Sequence, residues 1–199
     1  MKKLILMFIS LVAITLLVAC SGNNVHPPDF DFSIAFVEDL STQGMSNYRY
    51  RVVVNQEVSP SELEGLAMYI AESVKSDKDF NALQIWFFDY HEFARPGRSN
   101  HTLGEAIYAP GGSWERANTV TTGNYRTFEF SFNIPDKDWS LRLTPDEAEI
   151  FGEWSFVSES APTANEEFIN GRVAYLLDVT VEDVVDVMRR QLIWAHNRR

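Results

Sequence analysis

The six residues Leu83-Gln84-Ile85-Trp86-Phe87-Phe88 limit what this chain can fold into more than any other stretch. They are apolar at both odd and even positions, so a strand built from them has two faces to hide. Such a strand, over residues 82–90, belongs in the middle of a sheet with cover on both sides. One cover is legible just upstream. Ser59 is placed as an N-cap, Pro60 as the first helical residue, and Glu62 closes a capping box. Leu63, Leu66, Ala67, Ile70 and Val74 then form one apolar stripe of a helix that ends near Lys78. Before it, residues 48–55 alternate as a strand, with Tyr48, Tyr50, Val52 and Val54 on one face and Arg49 and Arg51 on the other. A helix of about 25 Å matches the length of the strand that follows. Strand, helix and strand therefore predict a right-handed crossover between two parallel strands.

Residues 32–40, 103–109 and 125–134 supply three more strands. In the last, Phe128, Phe130, Phe132 and Ile134 face one way and Thr127, Glu129, Ser131 and Asn133 the other. Pro110-Gly111-Gly112-Ser113-Trp114 reads as a turn with an exposed tryptophan. After Asp136 the period changes from two to 3.6. Thr144-Pro145-Asp146-Glu147 and Thr163-Ala164-Asn165-Glu166 are capping boxes, and Thr180 opens a further helix with Val181, Val184, Met188, Leu192 and Ala195 as its stripe. Arg189, Arg190, Arg198 and Arg199 load its carboxyl end with the sign the helix dipole favours. The expectation is an α+β fold: a mixed sheet of about five strands with one crossover helix over residues 32–140, then a three-helix unit over 141–199. Whether that unit is a separate domain or a cover over the sheet is open at this level.

The amino terminus carries a different kind of signal. Lys2 and Lys3 precede an apolar run over residues 4–19, which is shorter than the roughly 20 residues that span a bilayer. It ends in Leu17-Val18-Ala19-Cys20, and Cys20 is the single cysteine of the chain. This layout resembles the lipobox of bacterial lipoprotein signal peptides. The resemblance implies cleavage of residues 1–19, a diacylglycerol on the Cys20 thiol and an N-acyl group on the new amine, with no other cofactor. It also implies a protein anchored on the extracytoplasmic face of the cell membrane. Residues 20–31 then serve as a lipidated tether, flexible through Ser21-Gly22-Asn23-Asn24 and stiff at Pro27-Pro28. With Cys20 lipidated, the folded body holds together without disulfides.

The whole chain carries 28 acidic against 17 basic residues. Cleavage would remove two of the basic ones and leave a body repelled by anionic headgroups, one that stands off the membrane. The same balance excludes nucleic acid as a partner, which needs a basic surface. Two short helices around Asp178-Val179-Thr180 accordingly read as ordinary helix packing. The body further resembles a family of bacterial lipoproteins known as a domain of unknown function. That resemblance rests on Tyr48-Arg49-Tyr50-Arg51-Val52-Val53-Val54, Ser59-Pro60-Ser61-Glu62, Ala82-Leu83-Gln84-Ile85-Trp86-Phe87-Phe88-Asp89 and the stretch from Gly104-Glu105-Ala106 to Trp114. It implies no activity and no catalytic residues.

Two constellations could carry chemistry. Asp89, His91, Glu92, His101 and Glu105 cluster in sequence beyond the central strand, where open sheets bind ligands, and imidazole with carboxylate suits a divalent metal. They would make a metal-binding protein or a metal-dependent hydrolase, although a polar loop at a sheet edge has the same composition. Trp86, Phe88 and Tyr90, with Trp114, could instead line a groove for a peptide or glycan. The alternative is that the three-helix unit covers them through Phe151, Trp154 and the Leu176-Leu177 region, which the size of a bare patch would favour. No Gly-x-Ser-x-Gly elbow and no phosphate loop is present. Glu166-Glu167 and Glu182-Asp183 fall in first helical turns, where acids complement the dipole. The function this composition and leader predict is a non-catalytic binding or interaction module of the cell envelope, with an envelope protein, peptide or wall polymer as partner.

Overall fold

The computed structural model describes residues 26–95 and 101–196, the side chain of His196 excepted. Cys20, the leader over 1–19 and the first part of the tether lie outside the described residues. The chain folds as α+β. Strands β1 (Ser33–Asp39), β2 (Asn47–Val53), β3 (Ala82–Phe88), β4 (Gly104–Pro110) and β5 (Phe128–Asn133) form one sheet in the order β1-β2-β3-β4-β5. β2 and β3 run parallel, and the other neighbours are antiparallel. Helix α1 (Pro60–Asp77) makes the parallel connection. Helices α2 (Pro145–Ser160), α3 (Glu166–Leu177) and α4 (Val181–His196) follow the sheet.

Local signals place the helix starts. Glu62 N–H donates to the Ser59 hydroxyl at 3.3 Å, and Ser59 N–H donates back to the Glu62 carboxylate at 2.7 Å. Thr144 and Glu147 repeat the exchange at α2, as Thr180 and Asp183 do at α4. The α3 cap differs from expectation. Residues 161–164 close a turn in which Ala164 N–H donates to Ala161 O, so Thr163 comes too early and Asn165 takes the capping position, accepting from Phe168 N–H at 2.9 Å. Asp178, at φ 55°, ends α3 in the left-handed region that an Asp tolerates.

β3 is the middle strand, and its first face is as apolar as its sequence predicts. Leu83, Ile85 and Phe87 are fully buried with Tyr50 and Val52 of β2 against Leu63, Leu66 and Ile70 of α1. The second face is apolar only at its ends. At one end Val53 and Phe88 share a buried cluster with Val157, Ile169, Val173 and Val184, so the helical unit packs onto the sheet. At the other, Trp114 opens a 3₁₀ turn and packs on Ala82, Ala109 and Ala117 instead of standing exposed. Between the ends the face is polar.

The last turn of α4 returns to the α1 side. Trp194 is fully buried there, edge-on to Trp139 at 5.4 Å. Lys137, itself buried, donates to the Trp194 and Ala195 carbonyls at 2.8 and 3.0 Å. This seating decides which side of α4 faces the core. Val184, Val187, Gln191 and Trp194 are buried, whereas Val181 and Leu192 are 48% and 60% exposed. The stripe read from the sequence is thus rotated, because Trp194 had no place in it.

β4 begins on Gly104, at φ +140°, where a Cβ would lie 2.7 Å from the Asn133 carbonyl oxygen of β5. Gly104→Ala is therefore expected to cost about 1–3 kcal/mol from backbone strain alone. Urea unfolding would show a lowered midpoint with an unchanged slope.

Candidate functional site

The polar part of the second face is built by register. Arg51 stands beside Trp86, which stands beside Glu105, and in the next row Glu38, Arg49 and Gln84 align. Side chains one row and one strand apart on the same face are within reach of one another. The Glu38 carboxylate pairs with both guanidinium groups, at 2.8 Å to Arg49 and in a short contact to Arg51. Arg49 Nε donates to Gln84 Oε1 at 2.7 Å, and Gln84 Nε2 donates to Glu105 Oε2 at 2.9 Å. Trp86 Nε1 donates to that same oxygen at 3.2 Å. The Arg49 guanidinium lies 3.9 Å from the centre of the Trp86 ring, with that of Arg51 at 5.0 Å. A continuous charge-assisted network thus crosses four strands around one tryptophan.

His101 ends this network and opens onto a second feature. Its ring meets Trp86 edge-on at 6.0 Å, and Nε2 stands 3.9 Å from Glu105 Oε1. Burial pulls the His101 pKa down, against the opposing pull of Glu105. The ring is accordingly neutral at neutral pH, able to donate from one nitrogen and accept at the other. Beyond it lies a cavity of about 690 Å³ between α2 and α4, with Phe93, Phe151, Trp154, Met188 and Leu192 in its walls.

The five residues expected to hold a metal do not converge. Asp89 is buried at 1% exposure, accepts from the Thr102 hydroxyl at 2.5 Å and faces Arg142 at 3.5 Å. Burial raises its pKa, with Thr102 and Arg142 acting in the opposite direction. His91 Nε2 is 3.1 Å from the Ser33 hydroxyl at the β1 edge, and Glu92 lies against Gly152 of α2. His101 and Glu105 alone stand together. Among the described residues, no group of three or more His, Cys, Asp or Glu side chains is placed to hold a metal ion. The turn between β3 and β4 sends successive side chains to different neighbours, which spacing in the sequence does not reveal.

The four aromatic residues considered for a groove are also distributed. Phe88 is fully buried beneath the helical unit. Tyr90 donates its hydroxyl to the Leu143 carbonyl at 2.6 Å and packs edge-on to Phe93. Trp114 belongs to the opposite end of the sheet. Trp86 is the one at the polar network. Phe151, Trp154 and Leu177 are part of the cover, while Leu176 is 43% exposed on its outside.

Sequence reasoning did not place Glu38, Arg49, Arg51 or Gln84 in a candidate site. A cue existed for the first three: two arginines alternating with buried tyrosines on one strand require a carboxylate on a neighbouring strand. In comparisons with family models, curated proteins and solved structures, nothing matches this chain.

Proposed function

We propose that this chain is a lipid-anchored module of the bacterial cell envelope that binds a partner without converting it. Leu17-Val18-Ala19-Cys20 behind a basic and apolar leader is the observation that carries the reading. On this reading the thiol of Cys20 bears diacylglycerol, its amine an acyl group, and the acidic body stands off the extracytoplasmic face of the membrane. Among the described residues no helix is long and apolar enough to cross a membrane.

The sheet-face network supports binding over turnover. Its carboxylates and guanidinium groups hold one another, and the Trp86 ring is itself covered by the Arg49 guanidinium. The partly exposed Arg49, Glu105 and His101 suit a peptide or a wall polymer, whose polar edges hydrogen-bond to such groups.

Cys20→Ser tests the anchor. Stable attachment needs two acyl signals, and each buried methylene contributes about 0.8 kcal/mol. The variant is expected to leave Cys20-dependent membrane fractions for the soluble extract or to persist with its leader uncleaved. Mass spectrometry of the wild type is expected to find the acylated amino-terminal peptide. A free thiol on an intact leader in the wild type would overturn the reading.

A further inference from the structure

The sheet has two outer strands, and they differ. β1 is interrupted by a bulge between Ile34 and Phe36, one of the devices that keep an edge from accepting another strand. β5 pairs with β4 residue for residue from Phe128 to Asn133 without interruption. Its sequence, Phe128-Glu129-Phe130-Ser131-Phe132-Asn133, holds a single charge and no proline or lysine, so nothing in it blunts the edge.

The ladder fixes which backbone groups of β5 face outwards. Gly111 N–H donates to the Thr127 carbonyl at 2.7 Å, which makes these two a hydrogen-bonded pair next to Pro110 and Phe128. Bonded and non-bonded pairs alternate along an antiparallel ladder. Glu129, Ser131 and Asn133 therefore bond to β4, and the N–H and C=O groups of Phe130 and Phe132 point away from it. Among the described residues, no backbone group from outside the sheet bonds to them. Such a row is a template for a further strand. The side chains also leave a face incomplete. Phe130 stacks on Phe132 at 5.2 Å and on Tyr108 at 4.5 Å, yet both phenylalanines are only partly buried, while α1 lies over β3 and β4.

A second β5 fits this edge. Turned about a twofold axis at Ser131, it sets Phe130 opposite the partner's Phe132, Ser131 opposite the partner's Ser131, and Glu129 opposite the partner's Asn133. Each facing pair of Phe130 and Phe132 exchanges two hydrogen bonds. Asn133 already stands beside Glu105, so its amide comes between Glu105 and the partner's Glu129, with an N–H for each carboxylate. No like charges meet in this register, although the chain carries 28 acidic against 17 basic residues. We propose that β5 is a dimerisation edge, across which a second copy of this chain pairs antiparallel about Ser131 and continues the sheet.

Sedimentation equilibrium of the full chain reads the pairing, with Cys20→Ser removing the lipid site and detergent micelles kept in excess over protein. Two edge strands make a small interface, so a dimer with Kd of about 10–100 μM is expected. Asn133→Glu sets like charges opposite each other on both sides of the axis and is expected to weaken the dimer about tenfold. Adding Glu129→Lys makes both pairs oppositely charged and is expected to restore it, a rescue that association through the leader would not show. Cysteines in the same background test the register. Ser131→Cys is expected to form a disulfide dimer, because facing Cα atoms of a non-bonded pair lie about 4.5 Å apart. Glu129→Cys is expected to form none, its counterpart lying about 13 Å away along the ladder. A dimer indifferent to Asn133→Glu, or equal bridging from positions 129 and 131, overturns the proposal. So does a chain that stays monomeric at about 500 μM, which would leave the edge to an extended segment of another protein. The cysteine comparison decides the matter even if a charge variant fails to fold. Cys20 has no part in the pairing, so failure here leaves the envelope reading standing and the reverse.

Discussion

Arg142→Ala is expected to lower stability by about 3–5 kcal/mol, the range for stranding a buried charge by deleting its partner. Asp89 sits at 1% exposure, and Arg142 Nε faces its Oδ2 at 3.5 Å, neither atom having a hydrogen-bond partner among the described residues. The same guanidinium donates to the Asn55 carbonyl at 2.9 Å and the Asp89 carbonyl at 2.6 Å, and lies 4.2 Å from the centre of the Tyr90 ring. It therefore joins the ends of β2 and β3 to the segment that leads into α2. The loss should depend on pH. Burial raises the Asp89 pKa in the folded protein, so between the unfolded value of about 3.9 and the folded one the native state binds a proton that the unfolded chain has released. Stability from this group therefore falls as pH rises through that window and is level above it. Removing the compensating cation raises the folded pKa further and widens the window. Urea midpoints are expected to separate wild type and variant most at neutral pH and to draw together below about pH 4. An equal separation at both pH values would mean that the hydrogen bonds and ring contact of Arg142, not its charge, stabilise this junction.

Phe88→Ala is expected to cost about 3–5 kcal/mol, as truncating a fully buried phenylalanine does when its surroundings relax only in part. Phe88 is the point where β3 meets the helical unit, in one cluster with Phe93, Val157, Val173 and Val184. Deleting the ring opens a void between the two layers, so hydrogen exchange is expected to quicken first in α2 and α3 and only later in β2 and β3. Tyr175→Ala, at a site 79% exposed on α3, provides the contrast and is expected to change stability by no more than about 0.5 kcal/mol. A Phe88 variant no less stable than the Tyr175 one would contradict the packing of the helices on the sheet.

The legible part of this molecule is the part that local chemistry encodes. Ser59-Pro60-Ser61-Glu62 and Thr144-Pro145-Asp146-Glu147 start helices because a hydroxyl and a carboxylate three residues apart satisfy amides within their own turn. The alternation in β2 and the double-faced run in β3 placed both strands and the parallel connection between them. The candidate site was far less legible. Asp89, His91, Glu92 and His101 are close in sequence, yet the turn beyond β3 sends them to Thr102 and Arg142, Ser33, Gly152 and Glu105 in turn. Glu38 and Glu105, far apart in sequence, are brought into one network by Arg49 and Gln84.

The chain's own order of residues determined which segments become helix or strand and that β3 lies at the centre, because capping and hydrophobic period act over a turn or a few residues. Only the tertiary structure decided that Glu38, Arg49, Gln84 and Glu105 form one chain of hydrogen bonds and ion pairs, and that α4 buries Gln191 and Trp194 while Leu192 stays exposed. Strand register and helix rotation are set by packing between segments distant in sequence, where a side chain's neighbours follow from the shape of the whole core and from no pattern within any one segment.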